Sequence, residues 1–129
     1  MAIKRAEMGN KMATLTVVAA IWCACYGVAA ATDSNGSYVV IGFGNKSCGA
    51  YLDARKLDDD AGFAGWLSGF LSARNYDEDR TYDLLGRTDL WGAMAWLENY
   101  CRRNPTDPFV HGVNELVKFL YPKRLMKEP

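Results

Sequence analysis

The sequence has a single histidine, only four cysteines and no excess of either charge in its 129 residues. Its 15 Lys and Arg residues are matched by 15 Asp and Glu residues, and phosphate binding calls for a basic excess, so nucleic acid is not expected as the main partner. One His and unclustered cysteines argue against a zinc site and against a Ser-His-Asp triad. The chain also has no internal repeat, no low-complexity tract and no C-x-x-C redox pair.

What is present is enough apolar sequence for one folded domain. Half of the residues are hydrophobic and 12% are aromatic, which excludes a wholly disordered chain. The length of 129 residues allows one domain and no more.

The first 31 residues have the pattern of a secretory signal peptide. Three basic residues precede an uncharged run over 12–31, which ends in three alanines. This pattern predicts cleavage after Ala31, with Ala30 as the second choice. An uncleaved membrane anchor is the alternative, because twenty uncharged residues can just span a bilayer. After cleavage we expect a periplasmic or secreted protein that is not attached to a membrane.

Cleavage would leave two cysteines, Cys48 and Cys101, in a mature domain with 12 basic and 14 acidic residues. Two cysteines in a small exported domain predict one disulfide, and two buried reduced thiols are the alternative. The bond would close a loop of about 54 residues and contribute about 4 kcal/mol of stability.

Helical periodicity dominates the mature sequence and predicts an all-α protein, a small four-helix bundle. We expect an extended leader over 32–45, a helical domain over 46–121 and a basic tail over 122–129. Within the leader, the β-branched and aromatic residues 38–43 predict a short extended segment that lies against the core. The predicted helices are 48–57 after a Ser47 cap, 61–75, 89–103 after a Thr88 or Asp89 cap, and a fourth that begins with Asp107 as N-cap and Pro108 as first residue and ends at Leu120.

Three glycines in the second predicted helix require an explanation, because glycine destabilises a helix by about 1 kcal/mol relative to alanine. Gly62, Gly65 and Gly69 lie together beside the apolar stripe of this helix, which consists of Phe63, Trp66, Leu67, Phe70 and Leu71. Close approach of a neighbouring helix or of the extended segment is the simplest reason for them.

No catalytic residue, metal ligand or cofactor site can be assembled from this sequence. His111 is predicted on the outer face of the fourth helix, as a solvated residue or a pH sensor. The aromatic excess instead favours a protein-binding surface, because Trp91 and Trp96 cannot both point inward from one helix. The candidate surface combines aromatic residues with the acidic loop: Trp91, Trp96, Tyr76, Asp77, Asp79 and Tyr82.

Three segments resemble a family of small exported bacterial proteins. They are Ser47-Cys48-Gly49, GWLSGFLSARN (65–75) and WLENYCRRNP (96–105), and the resemblance covers about residues 46–121. The pattern is similar to the acid-stress chaperones of the HdeA and HdeB kind, and in outline to the Tai-like immunity proteins. The first resemblance implies a helical protein with one disulfide whose dimer loosens in acid to bind unfolded proteins. The second implies an inhibitor that blocks a secreted amidase.

We therefore expect a non-enzymatic protein-binding domain of the chaperone kind. Protonation of carboxylates in 58–60 and 77–83 would loosen the bundle and expose its Trp and Phe stripe. The alternative is an inhibitor that blocks a secreted enzyme through a loop. The expected partners are unfolded client proteins or that enzyme, and a second copy of the chain.

Overall fold

The computed structural model describes residues 32–33 and 35–129 of the chain, so the predicted signal segment 1–31 lies outside the described residues. The chain divides into two compact units at Tyr38. In the described part of the first unit, Oδ1 of Asp33 accepts hydrogen bonds of 2.8 Å from the backbone N–H groups of Asn35 and Ser37. This is the turn expected of a polar, glycine-containing segment.

The second unit, Val39–Pro129, is helical, and no strand occurs among its described residues. Its four α-helices are α1 (Cys48–Lys56), α2 (Ala61–Asp77), α3 (Leu90–Arg103) and α4 (Phe109–Leu120), and short 3₁₀ helices cover Gly42–Asn45 and Tyr121–Lys123. The predicted all-α, four-helix architecture is confirmed. Helix α2 continues two residues beyond its predicted end.

Side-chain caps fix the starts of α1 and α3. Oγ of Ser47 accepts a hydrogen bond of 3.1 Å from the backbone N–H of Ala50, and Oδ1 of Asp89 accepts one of 2.7 Å from Gly92. Each bond satisfies a backbone donor that has no partner within its helix. Both caps confirm the sequence prediction, with Asp89 rather than Thr88 at α3.

The predicted start of α4 is wrong by one residue. Pro108 is the N-cap, with an extended backbone (φ −60°, ψ 141°), and the helix begins at Phe109. The Asp107 carboxylate does not cap the helix, and Oδ2 accepts a hydrogen bond of 2.9 Å from the hydroxyl of Tyr100. The Asp107 side chain, which the sequence predicts as the cap of α4, therefore binds to α3 instead.

Three aromatic rings form the centre of the core. The ring centroids of Tyr51, Phe63 and Phe109, from α1, α2 and α4, lie 4.9 to 5.1 Å apart in tilted or edge-to-face contact. All three side chains are buried, and the Tyr51 hydroxyl donates a hydrogen bond of 2.7 Å to the backbone carbonyl of Met94 on α3. This cluster therefore connects all four helices.

The predicted disulfide joins Cys48 at the start of α1 to Cys101 in the last turn of α3. The S–S distance is 2.04 Å, the Cα atoms lie 4.9 Å apart, and both residues are fully buried. The bond confirms the sequence prediction. The two cysteines are 53 positions apart, and helix α2 lies inside the loop that the bond closes.

The extended segment before α1 contacts the core through its last residues. Val39 and Ile41 are 85% and 80% exposed, so these two side chains do not supply the expected contact, and Val40 between them is half-buried. It is made by the 3₁₀ helix that follows, in which Gly44 is buried and the Phe43 ring meets the Phe63 ring edge-on at 5.0 Å. Glycine allows the turn into this 3₁₀ helix, since Gly42 has φ +76°.

The three helix glycines have different surroundings. A Cβ atom at Gly62 would lie 2.1 Å from Cζ of Phe43, so this glycine permits the close approach of the preceding segment that we expected. A Cβ atom at Gly65 or Gly69 would meet nothing within 4 Å. For these two positions the predicted close approach is wrong, and the glycines lie on open surface.

Candidate functional site

The structure distributes the predicted interaction surface over the end of α2, the loop that follows it and two positions of α3. Tyr76 and Asp77 lie in the last turn of α2, and Asp79 follows two residues later, so these three residues share one end of that helix. All three are exposed, and Tyr76 is the most exposed of the large hydrophobic side chains that the structure describes, at 91%. Trp91 lies in the first turn of α3 and is 60% exposed.

Trp96 belongs to the packing of α3 against α4. Its ring stacks on Tyr100 at 6.1 Å and on Phe119 of α4 at 5.6 Å, and it is half-buried. The two tryptophans thus differ in surroundings. Trp91 presents an open ring, whereas Trp96 fills a contact between helices.

The loop that carries Tyr82 is held at several points. Leu84 is fully buried, and its backbone N–H donates a hydrogen bond of 2.8 Å to Oδ1 of Asn75 on α2. Leu125 pairs with the loop, because its N–H donates to the carbonyl of Asp83 at 2.9 Å and its carbonyl accepts from Tyr82 at 2.8 Å. The loop residues are therefore fixed on both sides.

An apolar groove opens on α2 where two exposed glycines adjoin Trp66 and Phe70, which are half-buried and pack against the core. Its floor is Gly65 and Gly69, one turn apart, and its wall is the stacked pair Trp66 and Phe70, whose centroids are 5.3 Å apart. The groove has a volume of about 290 Å³ and is open to solvent.

Sequence reasoning did not predict this groove, although its placement of Trp66 and Phe70 on the apolar stripe is confirmed by their packing against the core. The buried residues of α2 are Phe63, Ala64, Leu67 and Leu71, while Trp66 and Phe70 are only half-buried.

A network of ion pairs connects three helices on one side of the bundle. Nη1 of Arg55 on α1 lies 2.8 Å from Oδ2 of Asp60, the N-cap of α2, and its Nε lies 3.1 Å from Oε2 of Glu98 on α3. Glu98 also pairs with Arg102, one turn further along α3. Hydrogen bonds from Arg102 and from Arg55 lower the pKa of Glu98. We call these four residues the Arg55 network.

Side chains that could bind a metal ion are not grouped in the part of the chain that the structure describes. Within residues 32–33 and 35–129, no three His, Cys, Asp or Glu residues are grouped in a way that could hold a metal ion. His111 is exposed on α4. Among those same residues, every helix is too short or too polar to cross a bilayer.

These features define a small all-α protein whose helices are cross-linked by one disulfide. No family model, curated protein or solved structure matches the chain.

Proposed function

We propose that this protein is an exported, non-enzymatic protein-binding domain that captures unfolded proteins in acid. The observation that carries this proposal is the Arg55 network, which attaches the start of α2 to the other helices through carboxylates. Arg102 and Arg55 lower the pKa of Glu98 in this network, so the stability that its charge contributes is lost in acid.

Helix α2 is the element that acid can release. The disulfide joins α1 to α3 directly, whereas α2 is held without a covalent bond. Its attachments are packing, the ion pair between Arg55 and Asp60, and the hydrogen bonds of Trp66 and Asn75. A carboxyl group whose pKa is lowered in the folded state stabilises that state above its unfolded pKa of about 4.3 and loses the contribution as the pH falls. Glu98 is such a group, so the network weakens in acid.

Release of α2 would create a binding surface for unfolded proteins. Its inner face carries Phe63, Leu67 and Leu71, all buried in the neutral fold. Below about pH 3 the Asp and Glu residues are mostly neutral while Lys and Arg keep their charge, and the resulting repulsion opposes closure. The cross-linked α1 and α3 remain attached and provide a folded base.

Light scattering of an acid-denatured client protein tests the proposal. The wild type should suppress client aggregation below about pH 3 and have no effect at neutral pH. Glu98→Gln should act at a higher pH, because the network is already weakened. Glu115→Gln is the matched control, since Glu115 pairs only with Lys118 on its own helix. Absence of suppression by the wild type at every acidic pH would refute the chaperone function.

Export is part of the same proposal. We expect the protein recovered from outside the cytoplasm to begin at Thr32, with Cys48 and Cys101 oxidised. N-terminal sequencing and intact-mass measurement test this expectation. Retention of residues 1–31 would instead support the membrane-anchor alternative.

An inhibitor of a secreted enzyme is the second candidate, and the fixed loop favours it. Tyr82 and Asp79 are exposed on a segment held by Asn75 and Leu125, and such prior ordering lowers the entropy lost on binding. This function predicts a tight complex with one enzyme at neutral pH. The Tyr82→Ala substitution should weaken that complex. It also predicts no gain of binding in acid, which distinguishes it from the chaperone.

A further inference from the structure

Asn35 is followed by Gly36, and this dipeptide occurs only once in the sequence. The backbone nitrogen of the residue after an asparagine can attack Cγ of the asparagine side chain, and glycine hinders this attack least because it has no side chain. Every other asparagine precedes a larger residue, which is Lys, Tyr, Pro or Glu: Asn10, Asn45, Asn75, Asn99, Asn104 and Asn114. Asn35 is therefore the asparagine that its own backbone can attack most readily.

The surroundings of this dipeptide leave room for the reaction. Asn35 and Gly36 are both exposed, and a Cβ atom at position 36 would meet nothing within 4 Å. Asn35 is held through its backbone N–H, which donates a hydrogen bond of 2.8 Å to Oδ1 of Asp33. This bond restrains the backbone and not the side-chain amide, so Cγ of Asn35 can rotate towards the Gly36 nitrogen.

One hydrogen bond opposes the attack. The N–H of Gly36 donates to the backbone carbonyl of Asp33 at 3.0 Å, and this bond must open before the nitrogen can react. Both residues are exposed, and a hydrogen bond in a surface turn opens at little cost in free energy. The bond therefore slows the reaction without preventing it.

Asn45 provides an internal comparison, because it is also exposed. It is the last residue of the 3₁₀ helix Gly42–Asn45, and the residue after it is Lys46. The N–H of Lys46 donates to the carbonyl of Phe43 at 3.1 Å, and its carbonyl accepts a bond of 2.7 Å from Phe109. Asn45 thus has an exposed amide beside a nitrogen that is both hindered and fixed.

We infer that Asn35 is a site of spontaneous deamidation. The Gly36 nitrogen forms a bond to Cγ of Asn35, the bond between Cγ and Nδ2 breaks, and ammonia leaves with the proton that Gly36 loses. The product is a five-membered succinimide ring. Water then opens this ring at either carbonyl and leaves aspartate or isoaspartate at position 35.

Either product adds a carboxylate to a turn that already contains one. Oδ1 of Asp33 accepts hydrogen bonds of 2.8 Å from the N–H groups of Asn35 and Ser37. A second negative charge two residues away repels the first, and isoaspartate also lengthens the backbone before Gly36 by one methylene group. The reaction therefore opens this turn, and it does so in one direction only because the ammonia is lost.

Incubation of the folded protein at neutral and at alkaline pH, followed by peptide mass spectrometry, tests the inference. The peptide that contains Asn35 should exchange its amide group for a hydroxyl about tenfold faster than the peptide that contains Asn45. The rate should rise with pH, because the attacking nitrogen must lose its proton. A methyltransferase specific for isoaspartate should label the same peptide, and a sample digested without incubation is the control for changes during preparation.

Two variants separate the roles of the asparagine and the glycine. Asn35→Gln should abolish the reaction at this position, because the attack would have to close a larger ring. Gly36→Ala should slow it about tenfold, because the added methyl group hinders the nitrogen. Amide hydrogen exchange at Ser37 should be several-fold faster in the deamidated fraction than in the unmodified protein.

Equal rates at Asn35 and Asn45, or an Asn35 that persists through alkaline incubation, would overturn the inference. So would an unchanged rate in Gly36→Ala. Equal exchange at Ser37 in the two fractions would contradict the opening of the turn. None of these results bears on acid-dependent suppression of aggregation or on export, so the deamidation site and the proposed function fail separately.

Discussion

Gly44 lies directly against the indole of Trp66, and a Cβ atom at position 44 would come within 2.1 Å of Cζ2 of that ring. The same indole donates its Nε1 hydrogen bond to Ile41, three residues before Gly44. The 3₁₀ segment and α2 are thus joined by one contact that excludes any larger residue at position 44.

Gly44→Ala should lower the free energy of unfolding by about 2 kcal/mol. The indole would have to move, which breaks its hydrogen bond to Ile41 and its stacking on Phe70. Urea unfolding measures the effect, and the melting temperature should fall by roughly 10 °C. Gly65→Ala is the control, because nothing lies near its Cβ position and the helix gains up to about 1 kcal/mol. Equal stabilities of the two variants would contradict the close contact.

Tyr51→Phe should destabilise the protein by about 1 to 2 kcal/mol. The variant keeps the ring in the core but leaves the buried carbonyl of Met94 without its hydrogen-bond donor. Tyr76→Phe removes the same hydroxyl from an exposed ring and should change stability by less than about 0.5 kcal/mol. Denaturant unfolding of the two variants measures how much the buried hydrogen bond of Tyr51 contributes to the free energy of unfolding. A Tyr51→Phe variant as stable as Tyr76→Phe would refute this contribution.

Replacement of both cysteines, Cys48→Ala and Cys101→Ala, should lower the free energy of unfolding by about 4 kcal/mol, because the unfolded chain is no longer constrained. The bond is fully buried, so a reductant should act on the wild type only when denaturant opens the fold. Mass spectrometry after alkylation, with and without denaturant, measures this protection. Rapid reduction of the native protein would contradict the buried cross-link.

Glu98→Gln should destabilise the protein by about 1 kcal/mol at neutral pH and by less in acid. The pKa of Glu98 is lowered by Arg102 and Arg55, so its charge contributes fully above the unfolded pKa of about 4.3. That contribution is lost as the pH falls through the folded pKa. Urea unfolding at several pH values tests whether the free energies of unfolding of the variant and the wild type become equal in acid. A difference that stays constant down to about pH 2 would exclude an ionic role for Glu98.

Features that depend on neighbouring residues were predicted well. The Ser47 and Asp89 caps are side-chain contacts to a backbone group three residues away, so the local sequence is enough to identify them. The four helices followed from apolar periodicity in the same way. The Cys48–Cys101 bond required only the count of cysteines that remain after the predicted cleavage.

Apart from the disulfide, side-chain contacts between distant residues were not predicted. The pairing of Arg55 with Glu98 joins residues 43 positions apart, and no local pattern indicates it. Asp107 was assigned to a cap because nothing in the local sequence indicates that the Tyr100 hydroxyl binds it.

The amino-acid sequence by itself determined the helices, two of their caps and the cysteine pair. The helices and caps depend on spacing along the chain, and the pair on the number of cysteines. Only the tertiary structure decided which side of α2 is covered. Periodicity shows which residues share a helix face, but the positions of the other helices decide whether that face is buried. Gly62 and Gly65 are both glycines of α2, yet Gly62 lies against Phe43 and Gly65 borders an open groove.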